Sequence, residues 1–364
     1  LSPQLAFALM WAGFLAYAGV LVAAPRLGQR VVWAAIAVSV AGFALAPVLL
    51  SHDVYSYVDY ARLGAVHGLD PYVYPPAAAP ADPVYPQVEW TEATSAYGPL
   101  FTLLSYPLAW LPVGAAVASL KVLAAASVLG LALLVARLAP GRGVDPLRAA
   151  AFVALNPLVL VHVVGGAHND GLAMLLATTS VAAVLAAREA AAGAALVAAL
   201  AVKASTAVLA PFALLATVRE GRSGRFLVGA ALAAGAVATA AWAAFGWDWL
   251  GALGLAGENQ DRSSHMSVPI TVARLLGLDA GPVRAAALLL YALLVLWLSA
   301  WTWRDGDWLR ASAWATLGLL LATSWLLPWY LVWLLPLAAL SRDRGLQSLT
   351  LALTVYQLGA RIPL

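Results

Sequence analysis

The segment Ser51-His52-Asp53-Val54-Tyr55-Ser56-Tyr57 opens a long polar stretch rich in proline and tyrosine, set between two very apolar runs. A carboxylate just outside an apolar span is costly to keep there and is a functional-site candidate by default. Asp53 has two readings that do not exclude each other. It caps a helix that begins here, since Asp is a favoured N-cap residue, or it is a general base that takes the proton of an acceptor hydroxyl as that oxygen attacks an activated carbon. Asp59, six residues on, falls on another helical face and reads as solvated or paired with Arg62. Asp70 reads as a turn residue before Pro71, and His52 as either a substrate neighbour or a surface histidine. Tyr57 and Tyr97, in the same stretch, are further candidate substrate contacts.

A second constellation, Gly165-Gly166-Ala167-His168-Asn169-Asp170, precedes an apolar run. Asn169 or Asp170 could cap the following helix; alternatively His168, Asn169 and Asp170 point inward to hold substrate hydroxyls or to orient Asp53. His and Asp are ligands for several divalent ions, but no repeated His spacing and no second clear acidic pair accompany them, so neither a metal nor a cofactor is expected. Lys203 stands alone in an apolar segment, and Arg262-Ser263-Ser264-His265 lies in a later polar loop. Lys203 either snorkels to the interface or offers a point charge to a phosphate. Arg262 and His265 would add donors to the same anion. Trp329-Tyr330, after Pro328, reads as an aromatic-belt anchor or as a surface for a lipid chain or sugar.

The elements that must position these residues are membrane spans. The chain is 63% hydrophobic and 10% charged over 364 residues, far from the quarter or so of charged residues in soluble domains. Its basic residues sit in short clusters between apolar runs, which disfavours nucleic acid as a partner. With no cysteine, disulfides and thiolate chemistry are excluded. Taking about 20 apolar residues per span, spans are expected near 4–24, 31–50, 114–138, 149–164, 171–187, 226–245, 281–303, 311–327, 329–341 and 346–360. The stretch 190–218 reads as a hairpin of two short helices with Lys203 at its tip.

Arg26, Arg30, Arg137, Arg142, Arg148, Arg188, Arg219, Arg222, Arg225, Arg304, Arg310, Arg342 and Arg344 then share one side, the cytoplasmic one by the positive-inside bias. The outer loops 51–98 and 246–280, the Gly165–Asp170 turn and Lys203 share the other. Within the first loop, helical spacing from Asp53 to Val66 predicts an amphipathic helix lying in the interface, stopped at Gly68. A rigid Pro-rich stretch follows, and then a half-helix over 99–112. No cleavable signal is visible, and the charge bias starts the N-terminus outside, which suggests a missing upstream span or a variant topology.

In order along the chain stand Asp53-Val54-Tyr55-Ser56-Tyr57, Gly68-Leu69-Asp70-Pro71-Tyr72, Tyr97-Gly98-Pro99-Leu100-Phe101, Asn156-Pro157-Leu158, Gly166-Ala167-His168-Asn169-Asp170, Val202-Lys203 and Pro328-Trp329-Tyr330. This series resembles the actinobacterial polyprenyl-phosphate-mannose-dependent mannosyltransferases of the GT-C superfamily, over nearly the whole chain. The stretch Gly257-Glu258-Asn259-Gln260-Asp261 departs from that pattern. The resemblance implies a single all-α polytopic GT-C-like bundle spanning 1–364, in the plasma membrane, with its site on the outer face. It implies a metal-independent, inverting transfer of a hexose, mannose by the resemblance, from a polyprenyl-phosphate donor to a glycan or glycolipid hydroxyl. Asp53 would be the base, and membrane lipids the surroundings. The competing class is a transporter or flippase, whose polar turns would lie at the bilayer midplane.

Overall fold

The computed structural model describes residues 3–258, 262–304 and 306–359. Among them there are helices and turns and no strand. In chain order the α-helices are α1 (Pro3–Ala23), α2 (Gln29–Leu45), α3 (Asp53–Ala65), α4 (Pro99–Ser105), α5 (Val113–Leu138), α6 (Pro146–Ala154), α7 (Asp170–Leu185), α8 (Glu189–Val202), α9 (Ala210–Arg219), α10 (Ser223–Phe245), α11 (Gly251–Glu258), α12 (Val268–Leu276), α13 (Ala280–Arg304), α14 (Trp308–Ala322), α15 (Leu335–Leu340) and α16 (Arg344–Gly359). The protein is an all-α polytopic membrane protein. Among the described residues four segments are long and apolar enough to cross a bilayer, and six shorter apolar helices accompany them.

Two of the expected spans are built from broken pieces. The 149–164 span is α6 followed by a π-helix at Val159–Val164, with Asn156-Pro157 at the break. The Asn156 side chain turns back to accept the Leu158 N–H at 3.0 Å and donates to Thr354, which satisfies the backbone that Pro157 interrupts. The 329–341 span is a 3-10 turn at Pro328–Trp333 followed by α15. The 190–218 hairpin is α8, a 3-10 turn at Ala204–Leu209 and α9, and Lys203 sits at the C-cap of α8 in extended backbone. Lys203 therefore leaves the helix where the chain reverses.

α8 packs closely along α10 because two glycines face each other's backbone. A Cβ on Gly193 would overlap the Phe226 carbonyl, and one on Gly229 the Ala190 carbonyl. Small residues at such crossings let helices approach where lipid supplies no hydrophobic drive.

The first loop corrects one expectation. α3 does not lie on the interface with one wet face: Val54, Tyr57, Val58 and Leu63 are buried, but so are Ser56, Asp59 and Tyr60 on its other sides. The loop 66–98 folds over it. Tyr60 donates to the Ala93 carbonyl at 2.8 Å, and Gly68 turns the chain back with φ 66°. Arg62 does not pair with Asp59. Its Nε donates to both oxygens of Asp82 at 2.9 Å, and Nη1 donates to the Ala109 carbonyl, so one guanidinium ties α3, the loop and the segment after α4 together. Asp70 accepts the Tyr72 N–H at 2.9 Å, the turn expected before Pro71.

Replacing Gly229 by Leu is expected to separate α8 from α10 and cost about 1–3 kcal/mol or more. Gly235→Leu, on the same helix with open space at its Cβ, is expected to be near neutral. Thermal midpoints of the two variants in detergent check this.

Candidate active site

One end of the bundle gathers the polar turns around a cavity of about 300 Å³. Asp53 stands on its wall with Ser51 and Glu89; Lys203 and Arg262 line it from other parts of the chain. Aromatic faces complete the wall at Tyr60, Trp90, Tyr97, Trp329 and Tyr330. The volume is at the small end of what small-molecule sites offer.

Asp53 is the first residue of α3, and His52 before it makes no side-chain cap. The Asp53 carboxylate is therefore not used as an N-cap. It faces the cavity, where Trp90 Nε1 donates to Oδ1 at 3.2 Å and His168 Nδ1 lies 3.7 Å from Oδ2. Burial pushes its pKa above the usual carboxylate range; the Trp90 hydrogen bond and the Lys203 charge pull it back, while Asp170 and Glu89 push it further up. A carboxylate tuned upward is a stronger base near neutral pH. His168 is fully buried, and its ring stacks on Trp329 with centroids 3.8 Å apart at 18°. Trp329 is itself buried, so it is a wall of the site and not a belt anchor.

Asp170 does not cap α7, and neither does Asn169. The Asp170 carboxylate is wholly buried; it accepts from Trp333 Nε1 at 2.6 Å and from Lys203 Nζ at 2.7 Å. Lys203 also lies over the Tyr330 and Trp333 rings, at 5.3 and 5.8 Å, and those two rings stack on each other. Lys203 lines the cavity with its charge balanced by Asp170, because an ammonium that is 18% exposed and a carboxylate that is not exposed at all stabilise each other out of water. One Nζ–H is committed to Asp170, and an ammonium has three.

Gly98 brings the first loop to this place. Its N–H donates to the Val202 carbonyl at 3.2 Å, and a Cβ there would overlap the Ala201 carbonyl. Tyr97 is thereby held at the cavity wall beside Lys203.

Besides His168 and Asp170, which stand behind the wall, four expected contacts do not line the cavity. Tyr57 is buried behind it, edge-on to Tyr97 and Phe101 at 4.7 and 4.9 Å. Asn169 is buried beneath it. His52 points outward, its Nδ1 2.7 Å from Glu89 Oε1 with both side chains half exposed. His265 is exposed and does not line the cavity. Arg262 does, with its guanidinium 5.0 Å from the Trp90 ring centre. Glu89, Trp90 and Trp333 are site residues that sequence reasoning passed over. Among the described residues no three His, Asp or Glu side chains come together to hold a metal ion. Asn259, Gln260 and Asp261 of the divergent stretch lie outside the described residues.

Residues 3–219 match the family described as alpha-(1->6)-mannopyranosyltransferase, N-terminal domain, which takes in Asp53, His168, Asp170 and Lys203. The chain belongs to this family. It is 33% identical over 330 residues to alpha-(1->6)-mannopyranosyltransferase A of Mycobacterium tuberculosis, an alignment covering 81% of this chain and 63% of that protein. It is 31% identical over 174 residues to the Corynebacterium glutamicum protein of the same name, covering 45% of this chain and 34% of that one. The chain thus spans somewhat under two thirds of the tuberculosis relative. No solved structure matches it.

Asp59 gives the site's supporting helix a pH dependence. Its carboxyl is buried, and desolvation, with the nearby Asp82 charge, raises its pKa to about 7. An unfolded Asp ionises near 3.9, so between about 4 and 7 the folded chain holds a proton that the unfolded chain has lost, and this contribution falls as pH rises. Asp59→Asn removes that loss. Thermal midpoints read from pH 4 to 8 are expected to show the variant gaining on the parent as pH rises to about 7, with a constant difference above.

Proposed function

We propose that this chain is a membrane mannosyltransferase that moves mannose from a polyprenyl-phosphate carrier to a hydroxyl of a cell-envelope glycan or glycolipid, with inversion and with Asp53 as the base. The names of the relatives support an alpha-(1->6) linkage. The observation that carries the reading is a tuned carboxylate, with His168 at 3.7 Å and Trp90 on its other oxygen, on the same cavity as Lys203 and Arg262.

The chemistry balances with these groups alone. The acceptor hydroxyl attacks C1 of the donor sugar; the new O–C1 bond forms as the C1–O bond to phosphate breaks. The hydroxyl proton passes to Asp53, and the bonding pair leaves with the polyprenyl phosphate. A β-linked donor then yields an α-linked product. The leaving phosphate is already ionised and needs no acid; it needs cations where its charge grows. Arg262 supplies one, and the two Nζ–H groups of Lys203 not bonded to Asp170 supply donors beside it. Tyr97, Trp90 and Trp329 present flat apolar faces to the sugar. Placing the arginine-rich ends on the cytoplasmic side puts the cavity on the outer face of the plasma membrane, where the lipid carrier enters laterally. The transporter reading calls for polar sites in mid-membrane; here the polar groups gather at one end of the helices.

Asp53→Asn is expected to fold with an unchanged thermal midpoint and to lose about a hundredfold to ten-thousandfold in transfer, read by mass spectrometry with polyprenyl-phosphate-mannose and a mannoside acceptor. Transfer at the parent rate would remove Asp53 from the mechanism. A base works deprotonated, so activity falls as pH drops through its pKa. Trp90 donates to Asp53 and lowers that pKa, so Trp90→Phe is expected to move the acid limb of the rate profile to higher pH.

A further inference from the structure

At the opposite end of the bundle a second cavity, of about 320 Å³, opens among Pro25, Arg148, Arg342, Arg344 and Gln347. Three arginines at this end have carboxylate partners: Arg142 pairs with Asp307, Arg222 with Glu189 and Arg310 with Asp343. Among the described residues, the side chains of Arg148, Arg342 and Arg344 have neither an ion pair nor a hydrogen bond. The carboxylate on this cavity, Asp145, is committed as the cap of α6, where it accepts the Arg148 N–H at 2.7 Å.

The backbone is built to aim one of these cations. Arg342 adopts φ 59°, a left-handed conformation that costs free energy for a residue with a side chain. Its guanidinium lies against Gly143, where a Cβ would overlap it, and Gly143 is itself left-handed at φ 62°. The segments that supply the lining also expose apolar side chains. Val22 and Leu349, three and two residues from the lining Pro25 and Gln347, are 73% and 45% exposed. Unpaired guanidiniums over a headgroup-sized hollow, on segments that expose apolar side chains within a few residues of it, match a phosphate joined to acyl chains. A free phosphate would use only the first half of this arrangement.

We propose that this cavity binds the phosphate-bearing headgroup of an anionic phospholipid, a site separate from the candidate active site. Basic pockets between spanning helices take such headgroups, and each arginine near the surface contributes about a fivefold gain in affinity. Bound lipid would clamp α6 to the turn before α16 and set the depth of that end in the bilayer.

The test is thermal unfolding of the detergent-purified protein titrated with phosphatidylglycerol, phosphatidylcholine or inorganic phosphate. Phosphatidylglycerol is expected to raise the midpoint saturably and the other two to leave it unchanged. Arg344→Gln should weaken the phosphatidylglycerol response about fivefold, and a triple Arg148→Gln, Arg342→Gln, Arg344→Gln variant should lose it. Gly143→Ala, which alters no charge but displaces Arg342, should weaken it as well. An equal rise with phosphatidylcholine, or an unchanged response in Arg344→Gln and Gly143→Ala, overturns the proposal. A rise of the same size with inorganic phosphate alone overturns the lipid assignment and leaves a soluble anion.

Discussion

The candidate active site depends on one buried carboxylate. Asp170 has no exposure, and an ionised carboxylate in such a place is unfavourable unless its oxygens are met by donors. Both are: Trp333 Nε1 on Oδ1 and Lys203 Nζ on Oδ2. These three residues come from the start of α7, the turn after α8 and the broken segment before α15. The charge can be accommodated only if all three arrive together, and removing one partner of such a pair typically costs about 3–5 kcal/mol. The ion pair therefore fixes where the cavity forms.

Around that pair the rest of the cavity is assembled by packing. Tyr330 and Trp333 stack under Lys203, and Trp329 from the same 3-10 turn stacks on His168. His168 then stands beside Asp53, whose other oxygen is taken by Trp90. The carboxylate that could do chemistry is thus held from two sides. The one that cannot reach the cavity keeps a lysine in place. Two carboxylates in similar surroundings differ in that one is neutralised by a fixed cation and the other faces open volume.

Much of this was legible in the sequence, for physical reasons. Hydropathy located the spans because every backbone group in a bilayer must be satisfied within a helix. Arginine clusters separated the two ends, and that separation brought Asp53, His168 and Lys203 into one neighbourhood before any contact was known. What stayed hidden were pairings with no periodic signature. Trp90 and Trp333 are two of 15 tryptophans in a chain where Trp ordinarily marks the interface. Nothing local says that one bonds Asp53 and the other Asp170. The reading of α3 as a helix with one wet face failed because spacing shows which side is apolar, not that a Pro-rich loop will cover the other. The same cover moved Arg62 from Asp59 to Asp82. Lys203 was recognised as unusual, but its partner lies 33 residues away on another helix.

In the proposed reaction mannose arrives on a lipid phosphate and is attacked by a hydroxyl from the side opposite that phosphate, within the cavity that holds Asp53. The most direct measurement supplies the purified protein with β-linked polyprenyl-phosphate-mannose or with nucleotide-linked mannose, together with a mannoside acceptor, and reads the anomeric configuration of the product by NMR. An α-linked product is expected from the lipid donor and none from the nucleotide. A β-linked product, or transfer from the nucleotide donor alone, would overturn this mechanism.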